Sequence, residues 1–98
     1  MLYSELKDTW AIACFLEDIA SLAVAESKSE SALRLVGAAA AIRAVLDAPR
    51  SADEQARLEQ VLEPARQTLG EEAAASALAE GRAMSLEQAI AYAMNGAD

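Results

Sequence analysis

The 98-residue sequence contains no histidine. That absence removes the commonest general base and the commonest metal ligand together. A Cys-His dyad, a Ser-His-Asp triad, the usual zinc sites and a Glu-x-x-His di-iron motif are all excluded by it. There is a single cysteine, Cys14, so no intramolecular disulfide framework is available. Aromatics are scarce: Tyr3, Trp10, Phe15 and Tyr92 are the whole set, too few for a sandwich of strands, which want aromatic and β-branched side chains. Cations are scarce as well, with eight Lys and Arg against sixteen Asp and Glu, a formal net charge of −8. The nearest thing to a basic run, Arg34, Arg43 and Arg50, has acidic residues close by. Clustered basic residues are what neutralise phosphates, so direct binding to nucleic acid or to an anionic membrane is not expected. No apolar stretch reaches the roughly 18 to 20 residues of a membrane span, because Glu17, Asp18 and Glu26 interrupt the most apolar segment. The opening MLYSELKDTW has no charged region followed by an apolar one, so no signal peptide is expected. A soluble, cytoplasmic protein is the expectation.

What the sequence has in quantity is alanine, about a quarter of the chain. Alanine is the best helix former, since it loses no side-chain entropy on becoming helical. An all-α fold of about five helices follows, forming a single helical domain over residues 1–98. Asp8 or Thr9 can cap a first helix running to about Glu26, with Ile12, Phe15, Leu16, Ile19, Leu22 and Ala23 along its buried face. Ser27 and Glu30 have capping-box spacing and predict a second helix to about Leu46. Gly37 lies inside that helix, where close packing would explain it. Pro49 ends the helix. Ser51 with Glu54 opens a third helix, which contains Pro64 and closes at Gly70. A fourth helix runs from Glu71 to about Glu80, closed by Gly81. A fifth is opened by Ser85 with Gln88 and covers Leu86 to about Met94.

The first hairpin resembles a tetratricopeptide unit. With Ala32 at the small position opening the second helix, Ile19-Ala20 falls at the Leu-Gly pair, Ala23 at the tyrosine, and Val36 and Ala39 at the later hydrophobic and small positions. Ala20, Ser27 and Ala44 stand where the family has glycine, the turn glycine and the closing proline. Over nearly the whole chain, and most specifically in LVGAAAAIR and ALAEGRAMSLEQAIAYA, the sequence is similar to the C-terminal helical-repeat region of large bacterial ATPase-type transcriptional regulators. That resemblance implies residues 1–8 as the tail of a preceding repeat with a turn at Lys7-Asp8. It implies 9–46 as the tetratricopeptide-like hairpin and 51–95 as capping helices. The chain would then be a fragment of a larger regulator or a short relative of one. There is no GxxxxGK[ST] and no Arg-rich helix-turn-helix, so neither ATP hydrolysis nor DNA reading comes with it.

No catalytic, metal-binding or cofactor-binding set emerges, and the protein is not expected to be an enzyme. Glu17-Asp18 and Glu71-Glu72 are adjacent pairs, and helical neighbours point about 100° apart, which does not make a shared acid-base site. Cys14 reads as a small buried hydrophobe. Trp10 either staples the first helix to the core or stands at an exposed edge. On the repeat alignment Cys14, Glu17, Ser21 and Val24 would line a mildly acidic groove. Leu2, Leu6 and Trp10 would form an apolar edge open to self-association. The functional expectation is a protein-interaction or regulatory module engaging a protein partner or a second copy. The alternative is a small helical sensor holding an apolar ligand between its helices. An enclosed apolar cavity would favour the sensor, and an open groove or apolar edge the module.

Overall fold

Helices rich in alanine can pack with their axes close, because little side chain stands between them. The structure, a computed structural model, describes residues 3–95, and the side chains of residues 8–95. Among the described residues there are five α-helices and no strand: α1 (Tyr3–Ala25), α2 (Ser29–Leu46), α3 (Ala52–Leu69), α4 (Glu71–Arg82) and α5 (Leu86–Met94). The all-α fold is the one expected. Helix α2 is central and touches each of the other four.

Three boundaries differ from expectation. Helix α1 is continuous from Tyr3 and passes through Asp8 and Thr9, so no turn exists at Lys7-Asp8. Cap-forming residues are also tolerated inside a helix, and no Gly or Pro near Asp8 interrupts this one. Ser27 does not cap α2: it sits in the left-handed region at φ 65° and ends α1 instead. The Lys28 N–H donates to the Ala23 carbonyl at 2.8 Å and the Ser27 N–H to that of Val24 at 3.0 Å, the paired bonds of a Schellman turn. Asp47 closes α2 in the same way at φ 52°, with the Ala48 N–H on the Arg43 carbonyl. Gly81, expected just past α4, lies buried within it.

The other two capping boxes form as expected. The Ser51 hydroxyl accepts from the Glu54 N–H at 3.2 Å, and the Glu54 carboxylate accepts from the Ser51 N–H at 3.2 Å. These bonds hold the Glu54 carboxyl below its ordinary value of 4.5. Ser85 and Gln88 repeat the arrangement at the start of α5. Gly70, at φ 87°, is both the end of α3 and the start of α4.

Two glycines set the central crossing. A Cβ added to Gly37 would overlap the Leu78 carbonyl oxygen, and one added to Gly81 would overlap that of Arg34. At this point α2 and α4 meet backbone to backbone. Around it the core is mostly alanine, including Ala13, Ala20, Ala38, Ala39 and Ala77, with Leu16, Leu33, Leu35 and Leu62 as its largest wholly buried side chains.

Two outcomes are expected in urea denaturation. Gly81→Ala should lower stability by about 2 kcal/mol or more, although alanine gains about 1 kcal/mol in helix propensity, because the obstacle is backbone. Ser27→Gly should raise stability by about 1 kcal/mol, by relieving a left-handed residue that carries a side chain.

Candidate functional site

Of the four groove candidates, Glu17 and Ser21 line one open cleft, and Cys14 and Val24 lie outside it. Glu17 points back into the molecule, where its side chain is 16% exposed against Arg43 at 6% and Arg50 at 10%. Arg43 donates to both carboxylate oxygens of Glu17, from Nε at 2.8 Å and from Nη2 at 3.0 Å. Its Nη1 bonds the Ala48 carbonyl at 3.1 Å. Arg50 Nε donates to the same Glu17 Oε2 at 2.7 Å; its buried Nη2 lies within ion-pair distance of that oxygen but makes no hydrogen bond. One carboxylate on α1 therefore gathers a guanidinium from the end of α2 and another from the loop before α3. The hydrogen bonds to Glu17 raise Arg43 above an already high value. Cys14 lies beside this cluster, its sulfur 3.7 Å from Arg43 Nη2. Burial pushes its thiol above 9.0, more than the Arg43 charge lowers it, which suits an inert side chain rather than a nucleophile. Val24 is half-buried against the core, and Ser21 is exposed, with its hydroxyl turned onto the Glu17 carbonyl at 3.2 Å.

A second polar cluster ties α2 to α4 and α5. Arg34 reaches Glu80 at 3.3 Å and the Tyr92 hydroxyl at 3.3 Å, and it pairs with Glu30 one turn earlier. Tyr92 donates to the Ser31 hydroxyl at 3.0 Å. The bond to Tyr92, then that to Glu80, raises Arg34 further. Both clusters crosslink helices: Arg50 Nη2 alone lacks a hydrogen bond in the first, and the Glu17 carboxylate, although it lines a shallow cleft, is held by Arg43 and Arg50. Among the described residues no group of three or more Cys, Asp or Glu could hold a metal, and no helix is long and apolar enough to cross a membrane.

The feature missed in the sequence is the outer face of α1. Phe15 is 41% exposed and Leu22 60% exposed, although both fit the periodicity of the expected core. With the exposed Ala11, Asp18 and Ala25 they recur at steps of four, three, four and three. That spacing is the a/d seam of a coiled coil. Trp10, 46% exposed, stands about 100° around the helix from the middle of the seam and joins the open surface rather than stapling the core. Of the proposed self-association edge, Trp10 is thus exposed; Leu2, and the side chain of Leu6, lie outside the described residues. The signal was present in two overlapping apolar periods on α1, an inner one through Ile12, Leu16, Ile19 and Ala23 and an outer one through Ala11, Phe15, Leu22 and Ala25.

Two clefts adjoin these faces, and both are open to solvent. One of about 200 Å³ separates Asp18 and Ser21 of α1 from Arg57, Leu58 and Val61 of α3. Another of about 390 Å³ is lined by Ile42, Val45, Met84 and Leu86, with Arg82 at its rim. Comparison with family models, with characterised proteins and with solved structures finds no match to this chain.

The Glu17 cluster can be checked directly. Glu17→Gln should cost about 3 kcal/mol in urea denaturation, because two mostly buried guanidiniums lose their counter-charge. A Glu17 lining a solvated groove would lose no more than about 0.5 kcal/mol.

Proposed function

We propose that this protein is a non-catalytic protein-interaction module, similar in kind to the closing hairpins of a tetratricopeptide array and working in the cytoplasm. The observation that carries the proposal is the exposed seam of α1. An apolar stripe two heptads long costs free energy in water and has no role in the described core, whereas a partner helix would cover it. The polar clusters add negative support, since each is consumed in holding helices together. The open clefts favour an interaction module over a sensor with an enclosed apolar ligand site.

Site-specific photo-crosslinking in the native cells tests this. A photoreactive residue replacing Leu22 should give a discrete protein adduct. The same group replacing Glu63, on the exposed side of α3, should give none. Absence of an adduct at position 22, or equal labelling at both positions, overturns the proposal.

A further inference from the structure

The chemistry of the α1 seam narrows its occupant. From Asp8 to Ser27 the sequence contains no Lys or Arg, and it contains the acids Asp8, Glu17, Asp18 and Glu26. Glu17 is turned inward and consumed by Arg43 and Arg50. Asp8, Asp18 and Glu26 are exposed, and Glu26 pairs with Lys28 at 3.9 Å. Asp18 occupies the middle position of the seam, with Phe15 and Leu22 on either side. Two cations share the α3 cleft with it: Arg50, which is already bonded to Glu17, and Arg57, which has Glu54 beside it. No ion pair joins Arg57 to Asp18 among the described residues.

A polar residue at one position of a helix seam costs stability, and it selects the partner that can satisfy it. A second copy of α1 is the wrong partner. In a parallel in-register pair, and in an antiparallel pair centred on the seam, Asp18 would meet Asp18 between two chains of net charge −8. Like charges brought together at an interface are strongly disfavoured.

We propose that the outer face of α1 docks a cationic amphipathic helix, its apolar ridge seated along Ala11, Phe15, Leu22 and Ala25 and a lysine or arginine placed against Asp18. The inference rests on the interaction-module reading and adds the chemistry of the partner. Such a helix needs two heptads, about 21 Å at 1.5 Å per residue. A peptide of that length is barely helical alone, so it folds as it docks. Electrostatic attraction would speed the encounter, and the leucine-sized seam would set how long the complex lasts.

The test uses two synthetic peptides of about 18 residues, both without tryptophan and with leucine along the seam. One carries lysine at the position opposite Asp18 and along both flanks, and the other carries glutamate at all of those places. Binding is followed by fluorescence anisotropy of labelled peptide and by emission of Trp10, the sole tryptophan. The lysine peptide should bind, at least about tenfold tighter than the glutamate peptide and more weakly as salt rises. Leu22→Glu should abolish that binding, and Asp18→Lys should shift preference toward the glutamate peptide. Both positions are exposed, so circular dichroism should show an unchanged helical fold, and Asp18→Asn provides a milder variant that should narrow the preference. Equal binding of the two peptides, no binding of either, or a preference that ignores residue 18 overturns the proposal. So does a concentration-dependent dimer in sedimentation that Leu22→Glu dissolves, which would assign the face to a second copy. A crosslinked partner at position 22 that presents an acidic or non-helical surface would leave the interaction module standing and remove only the cationic helix.

Discussion

The backbone contact between α2 and α4 at Gly37 and Gly81 is the constraint on which the other packing depends. Each glycine lies where a Cβ would overlap a carbonyl of the opposite helix, so the two residues fix both the closeness and the register of the crossing. Because α2 also touches α1, α3 and α5, its position relative to α4 is passed on to the whole bundle. Alanine at Ala38, Ala39, Ala74 and Ala77 is what a crossing this tight can accommodate. A core built in this way gains less from each buried side chain, since hydrophobic stabilisation scales with apolar area. It relies correspondingly on close dispersion contact and on defined helix ends.

The polar clusters fit the same scheme. Small side chains provide little lateral grip, and Arg43 and Arg34 supply it from opposite ends of α2. Arg43 binds the carboxylate of α1 and the carbonyl of Ala48, just past its own helix, where Asp47 turns the chain through the left-handed region. Arg50 meets the same carboxylate, so the loop into α3 is fastened to α1. Arg34 performs the equivalent task for α4 and α5 through Glu80 and Tyr92. Breaking one partner of a buried pair costs far more than the pair contributes in total. These groups are therefore better understood as fixing which helix meets which than as a net source of stability.

Element type was legible in the sequence wherever a local signal had one meaning. Ser51-x-x-Glu54 and Ser85-x-x-Gln88 are capping boxes in the structure as in the sequence, and Gly70 is the turn it looked to be. Ser27-x-x-Glu30 has the same spelling and a different outcome, because a serine two residues past a helix end can take the left-handed position that closes that helix. Gly81 was misplaced for a related reason: a glycine near a helix end suits a terminator and a close crossing equally. Only the long-range meeting with Arg34 distinguishes the two. Glu17 fitted a groove on an alignment, but its partners lie 26 and 33 residues away, beyond any local pattern.

Phe15 and Leu22 make the most informative mismatch, because periodicity placed them correctly on a helix face and wrongly in the core. Helix α3 shows the ordinary arrangement: Leu62 and Ala65 are buried, and Asp53, Glu59, Glu63 and Arg66 face water. Helix α1 carries a second apolar stripe where α3 carries charge. A helix apolar on two faces normally has both covered, and the described bundle covers one, with α2 supplying most of the contact. On the proposed reading the seam spacing suits another helix as that cover. Asp18, exposed between two large apolar side chains, would then favour a helix that brings a positive charge. The bundle thus closes its own crossings with small residues and a few buried leucines, and it leaves Phe15 and Leu22 of α1 on an outer face that none of its own helices covers.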